Sequence, residues 1–163
     1  MEIRQLQESD TEAYRRLRLE ALCDSPESFG SSYEEEREYP LQLFKDRIKN
    51  SCTLGAVLDA ELVGMVTLMQ ETRHKTSHKA NIYAMYVTPS QRGQGLGKKL
   101  MLEAIKQAQT IKEIEQLHLT VVSSNEAARQ LYLSLGFVIY GKEKHALKIG
   151  NVYFDEEHLY TFL

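Results

Sequence analysis

The stretch Val87-Thr88-Pro89-Ser90-Gln91-Arg92-Gly93-Gln94-Gly95-Leu96-Gly97-Lys98-Lys99 constrains this chain more than any other. Before it, residues 80–88 read as a strand that stops at Pro89, which cannot donate to a ladder. After it, Leu100, Met101, Ala104, Ile105 and Ala108 recur on one face of a helix. Glycines at positions 93, 95 and 97 thus join a strand to an amphipathic helix. Glycine adopts backbone angles closed to other residues and lets the main chain approach a ligand. The first amides of the helix have no internal partner, and together with the helix dipole they suit a phosphate or diphosphate. Arg92, Lys98 and Lys99 can add charge. The Gly-x-Gly-x-Gly spacing is not the dinucleotide fingerprint, and Lys99 stands where a P-loop needs Ser or Thr. Taken alone, the turn could equally be a plain strand–helix connection.

The flanking patterns frame it. Ile3-Arg4-Gln5-Leu6 alternates as a short strand, and Ser9 or Asp10 can cap a helix from about Thr11 carrying Tyr14, Leu17, Ala21 and Leu22. A second helical region runs over 33–49, interrupted near Pro40. Strands follow at 52–58 and 62–70, with a polar loop over 71–79. Residues 117–122 form a strand, and 125–135 a helix that buries Ala128, Leu131, Tyr132 and Leu135 and stops at Gly136. Residues 137–140 and 152–163 supply the last strands, around a turn at Gly150-Asn151. The order predicts an α/β layered fold with a largely antiparallel sheet, in one domain over 1–163.

Composition removes other classes. The net charge of −3 gives no push toward nucleic acid or anionic membrane. No apolar run approaches the ~20 residues of a membrane span, and Met1-Glu2-Ile3-Arg4-Gln5 lacks a secretory layout. Cys23 and Cys52 read as reduced thiols, so the expected setting is the cytoplasm. His74 and His78 are four apart, but in a basic loop with no Cys or carboxylate between them, so no metal is expected. His118 and His145 read as structural. The run Glu34-Glu35-Glu36 with Glu38 reads as a solvent-facing helix side, attraction of a cationic amine being the alternative.

Two motifs in order carry a family resemblance. Arg92-Gly93-Gln94-Gly95-Leu96-Gly97, preceded by Met85-Tyr86-Val87-Thr88-Pro89, resembles the Arg/Gln-x-x-Gly-x-Gly/Ala turn of the GNAT acyltransferases. Asn125-Glu126-Ala127-Ala128-Arg129-Gln130-Leu131-Tyr132-Leu133-Ser134-Leu135-Gly136-Phe137 resembles the second motif of that superfamily. The resemblance covers residues 50–163 well and the N-terminal helices in outline. It implies the GNAT fold: a central, mostly antiparallel twisted sheet with one splayed pair of strands and helices on both faces.

It also implies a site. The cosubstrate would be acetyl-CoA, with its diphosphate on the main chain of Arg92, Gly93, Gln94, Gly95, Leu96, Gly97 and Lys98. Its pantetheine arm would pair with Met85, Tyr86 and Val87, and Asn125 would contact that arm. A main-chain amide near Val87 would polarise the thioester. Tyr132 stands where many members place a general acid. Giving its proton to a thiolate would be uphill by ~1.5 pKa units, about 2 kcal/mol. Tyr132 could instead be a core aromatic, and Asn125 only a helix cap. Some relatives carry a Glu on a central strand to deprotonate the amine; Leu117-His118-Leu119-Thr120-Val121-Val122 has none. Tyr83, Tyr86 or a water chain could serve, or the amine could arrive neutral. The implied reaction is acetyl transfer to a primary amine, of a small molecule or a protein, by direct attack. A non-catalytic acyl-CoA-binding sensor is the alternative. The aromatic strand 153–163 could pair with a second copy to give a homodimer.

Overall fold

The computed structural model describes residues 1–163. Seven strands form one sheet: β1 (Glu2–Gln5), β2 (Cys52–Leu58), β3 (Glu61–Gln70), β4 (Lys79–Val87), β5 (Gln116–Val122), β6 (Val138–Ile149) and β7 (Val152–Phe162). Five helices accompany them: α1 (Thr11–Asp24), α2 (Tyr33–Glu36), α3 (Leu41–Asn50), α4 (Leu96–Thr110) and α5 (Glu126–Ser134). The spatial order is β1-β2-β3-β4-β5-β7-β6. Every neighbouring pair is antiparallel except β4 and β5, which α4 connects in parallel.

Side-chain alternation gives the sheet two apolar faces. One carries Leu54, Val66, Ile82, Leu117 and Leu159 against Leu100, Met101 and Ala104 of α4 and Tyr132 of α5. The other carries Met65 and Tyr86 against Tyr14, Leu17 and Ala21 of α1 and Phe44 and Ile48 of α3. The helical region over 33–49 is two helices, because Pro40 takes an extended conformation as the cap of α3.

Two expectations are corrected. β6 runs on to Ile149, well past the expected end at residue 140. Its distal half is mostly exposed, with adjacent Ala146 and Leu147 the partly covered residues, so it carries no apolar alternation to read. β7 pairs with β5 on one side and β6 on the other. Over Glu156–Tyr160 both of its edges are used, so that part of the strand has no free edge for a second copy.

The site is positioned by a break in the sheet. β4 meets β5 only at Lys79–Gln116, Ala80–Leu117 and Asn81–His118, and beyond that the two strands part. The cause lies in β4: Tyr83 faces Thr67 and Tyr86 faces Met65 on β3, so Ala84 and Met85 together oppose one residue. This is a β-bulge, with Ala84 held at φ +53, an uncommon conformation for a non-glycine residue. The bulge turns the strand away from β5 and leaves its edge open.

Candidate active site

The parted strands open into a cleft of about 1080 Å³, floored by β4 and β5 and walled by α1, α3, α5 and the glycine turn. At one end, Gly93 and Gly95 stand at φ +77 and +75, which only glycine adopts without strain. No main-chain or side-chain acceptor takes a hydrogen bond from the amides of Gly93, Gln94, Gly95, Leu96, Gly97 or Lys98. The expectation began one residue earlier, but the Arg92 amide donates to the Pro89 carbonyl. Gly97 serves packing, since a Cβ there would lie 3.1 Å from Met85 Cε.

The side chains at this end do less than their charges suggested. The Arg92 guanidinium donates to the Val87 carbonyl at 2.9 Å, forms an ion pair with Asp24 of α1, and lies 5.4 Å from the centre of the Tyr86 ring. The Tyr86 hydroxyl donates to Glu20, and burial, with that carboxylate beside it, pushes its pKa well up. Lys98 lines the cleft, whereas Gln94 and Lys99 do not.

Asn125 caps α5, its Oδ1 accepting from the Ala128 amide at 3.1 Å, and it lines the cleft as well. Tyr132 is 6% exposed, packs edge-on to Phe137, and borders the cleft opposite β4. No protein group hydrogen-bonds its hydroxyl, and burial pushes its pKa up to about 12. At neutral pH it is a phenol, able to donate a proton.

At the other end the structure assembles residues that the sequence did not single out. His118, read as structural, lines the cleft between Tyr140 and Tyr160. His158 Nδ1 lies 3.2 Å from Thr120 Oγ1, and its Nε2 is 3.6 Å from Glu143. Glu156 is half-buried, lines the cleft, and has no hydrogen-bond partner. Burial raises its pKa, the Glu143 charge adds to the rise, and His158 opposes it. Alternation could have placed Glu156, His158 and Tyr160 on one face, but only the pairing of β7 with β5 sets that face beside the parted strands.

The acidic run is also corrected. Glu34, Glu35 and Glu38 face solvent, but Glu36 is fully buried. It accepts from Arg18 at 2.8 and 3.1 Å and from Arg47 at 2.9 and 3.4 Å. Burial alone would raise its pKa; the two guanidinium groups overcome that and hold it at about 2.

A family model described as Acetyltransferase (GNAT) family matches residues 9–137, and the chain belongs to that family. The chain is 31% identical over 98 residues to the L-amino acid N-acetyltransferase AaaT of Escherichia coli, a stretch covering 60% of each. It thus spans about 60% of the length of that relative. Among solved structures it superposes on a GNAT-family acetyltransferase of Streptococcus pneumoniae at a TM-score of 0.87, with 23% identity and 99% of each chain covered. It superposes on a phosphinothricin acetyltransferase of Sinorhizobium meliloti, solved in complex with AcCoA, at 0.84, with 18% identity and 99% and 88% covered. Those likenesses establish the fold. No helix is long and apolar enough to cross a membrane.

Proposed function

We propose that this chain is an acetyl-CoA-dependent N-acetyltransferase acting on a primary amine by direct attack. The observation that carries the reading is the row of six partnerless amides, Gly93 to Lys98, at the mouth of a cleft where β4 has left β5. Acetyl-CoA, when bound, supplies the activated acetyl group. The amides and the α4 dipole suit its diphosphate. The open edge of Met85, Tyr86 and Val87 suits its amide-bearing arm, with Asn125 facing that arm across the gap.

The residues then divide the chemistry. Glu156 takes a proton from the acceptor ammonium, a role helped by a pKa raised toward the working pH. The freed nitrogen lone pair forms the C–N bond, and a β4 amide near Val87 holds the carbonyl oxygen as it gains charge. As the C–S bond breaks, Tyr132 gives its proton to the departing sulfur. With Tyr132 at about 12 and an ordinary thiol at roughly 8.5, that transfer is steeper than the sequence implied. The sulfur leaves into the same dry surroundings, which raise its own proton affinity and narrow the gap. A covalent enzyme intermediate is not part of this route: neither Cys23 nor Cys52 lines the cleft, and burial raises the Cys52 thiol pKa. Two free cysteines fit a cytoplasmic setting.

The test is a panel of amines with acetyl-CoA, following released thiol. Turnover dependent on both partners supports the reading. Tight binding of the cosubstrate with no acceptor turned over would favour an acyl-CoA sensor.

A further inference from the structure

We propose that Arg18 and Arg47 form a subsite for a carboxylate carried by the acceptor, so that the substrate is an amino acid rather than a simple amine. This rests on the N-acetyltransferase reading. Glu36 is the one carboxylate paired with these two guanidinium groups, and at a pKa of about 2 it is ionised at any working pH, leaving one positive charge in excess. Glu36 is wholly enclosed and does not border the cleft, whereas both arginines do. The anion therefore sits behind, and the cations face the opening.

The surroundings do not cancel that charge. The Arg18 side chain is only 11% exposed, with its guanidinium 4.8 Å from the Phe29 ring centre. Arg47 lies 5.3 Å from Phe44 and 5.8 Å from Tyr39. Ring faces soften a cation but do not neutralise it. Glu27 is the carboxylate on the same wall of the cleft, and it pairs with neither arginine. Arg18 is shielded, whereas the Arg47 side chain is 33% exposed, so the excess charge opens onto the cleft, where an ion of opposite sign can reach it. A guanidinium also matches a carboxylate in geometry, through paired N–H donors. The diphosphate of the cosubstrate is claimed by the glycine turn, so the anion that fits here belongs to the acceptor.

Position agrees. Ser51, whose hydroxyl donates to the Arg47 carbonyl, lines the cleft together with Thr67 and Tyr83, which face each other across β3 and β4. Tyr83 is the residue before the Ala84–Met85 bulge where the strands part. A zwitterion with its carboxylate at Arg47 would keep its ammonium in the cleft that Glu156 also lines.

The experiment pairs each amino acid with its amide and its decarboxylated amine, using the full chain saturated with acetyl-CoA. The acid should be preferred over the amide by roughly ten- to hundredfold in kcat/KM, mostly through KM. Arg47→Gln should pull that ratio toward one, and Arg47→Lys should restore part of it. A ratio near one in the parent overturns the proposal. So does an Arg47→Gln protein that slows acid and amide by the same factor, the signature of a purely structural tie. If no amine is turned over at all, the enzymatic reading fails, and calorimetry of the CoA-bound protein decides the subsite separately. Amino-acid binding lost in Arg47→Gln and partly kept in Arg47→Lys sustains it; no binding to the parent, or unchanged binding in Arg47→Gln, removes it.

Discussion

The two ends of the cleft are built from different materials. At the glycine turn the ligand-facing groups are main-chain amides, and the nearest strong cation, Arg92, is tied to Asp24 and Val87. At the acceptor end the facing groups are side chains from distant parts of the chain: Arg18, Arg47, His118, Glu156 and His158. A main-chain site can keep its shape while its side chains vary, which suits a cosubstrate common to many enzymes. A side-chain site changes with each substitution, which suits an acceptor that differs between relatives.

The largest effect should come where the ends meet. Tyr132→Phe should lower kcat by roughly 10²–10⁴-fold while leaving cosubstrate affinity unchanged, read by turnover and calorimetry. Equal loss of both would make Tyr132 part of the cosubstrate end instead.

Next is Glu36, the hidden anchor of the acceptor end. Glu36→Gln leaves two poorly compensated cations and should cost ~3–5 kcal/mol in denaturant unfolding. Acid should show the same tie. The carboxyl titrates at about 2 in the folded chain against 4.5 ordinarily, so its contribution is whole above about pH 4.5 and disappears as pH falls toward 2. The amount is ~3 kcal/mol, absent from the acid limb of the Gln variant.

A smaller loss is expected at the main-chain end. Gly95→Val forces a β-branched residue to φ +75 and should weaken cosubstrate binding roughly ten- to hundredfold, although a Cβ there meets no neighbour within 4 Å. Replacing Gln94, exposed and outside the cleft, should do nothing, which separates backbone shape from side-chain contact.

The smallest change should be a gain. Asp24→Ala frees the Arg92 guanidinium for the diphosphate and should tighten cosubstrate binding by up to about fivefold at low salt, fading as salt rises. Unchanged affinity would mean that Arg92 serves only to hold β4 and α1 together.

Much of the fold was legible because its signals are local. Pro89, the helical stripe from Leu100 to Ala108 and the stop at Gly136 each act within a few residues of themselves. The glycine turn was legible for the same reason: glycine permits the positive φ that Gly93 and Gly95 adopt, so a run of glycines flags such a turn, although Gly97 in that run does not use it. Even there, the free amides could be inferred while the capture of Arg92 by Asp24, 68 residues away, could not. Glu36 shows the limit from the other side. Within Glu34-Glu35-Glu36 nothing distinguishes it, and it is buried only because α1 and α3 bring Arg18 and Arg47 to it.

By itself, then, the sequence determined the strand–turn–helix whose amides are left without partners at the cleft, because backbone conformation there follows largely from residue type and near neighbours. Tertiary structure alone decided which charged side chains line the other end of the cleft. Their partners come from separate helices and from the pairing of β5 with β7, and no local pattern records which distant carboxylate a given arginine will meet.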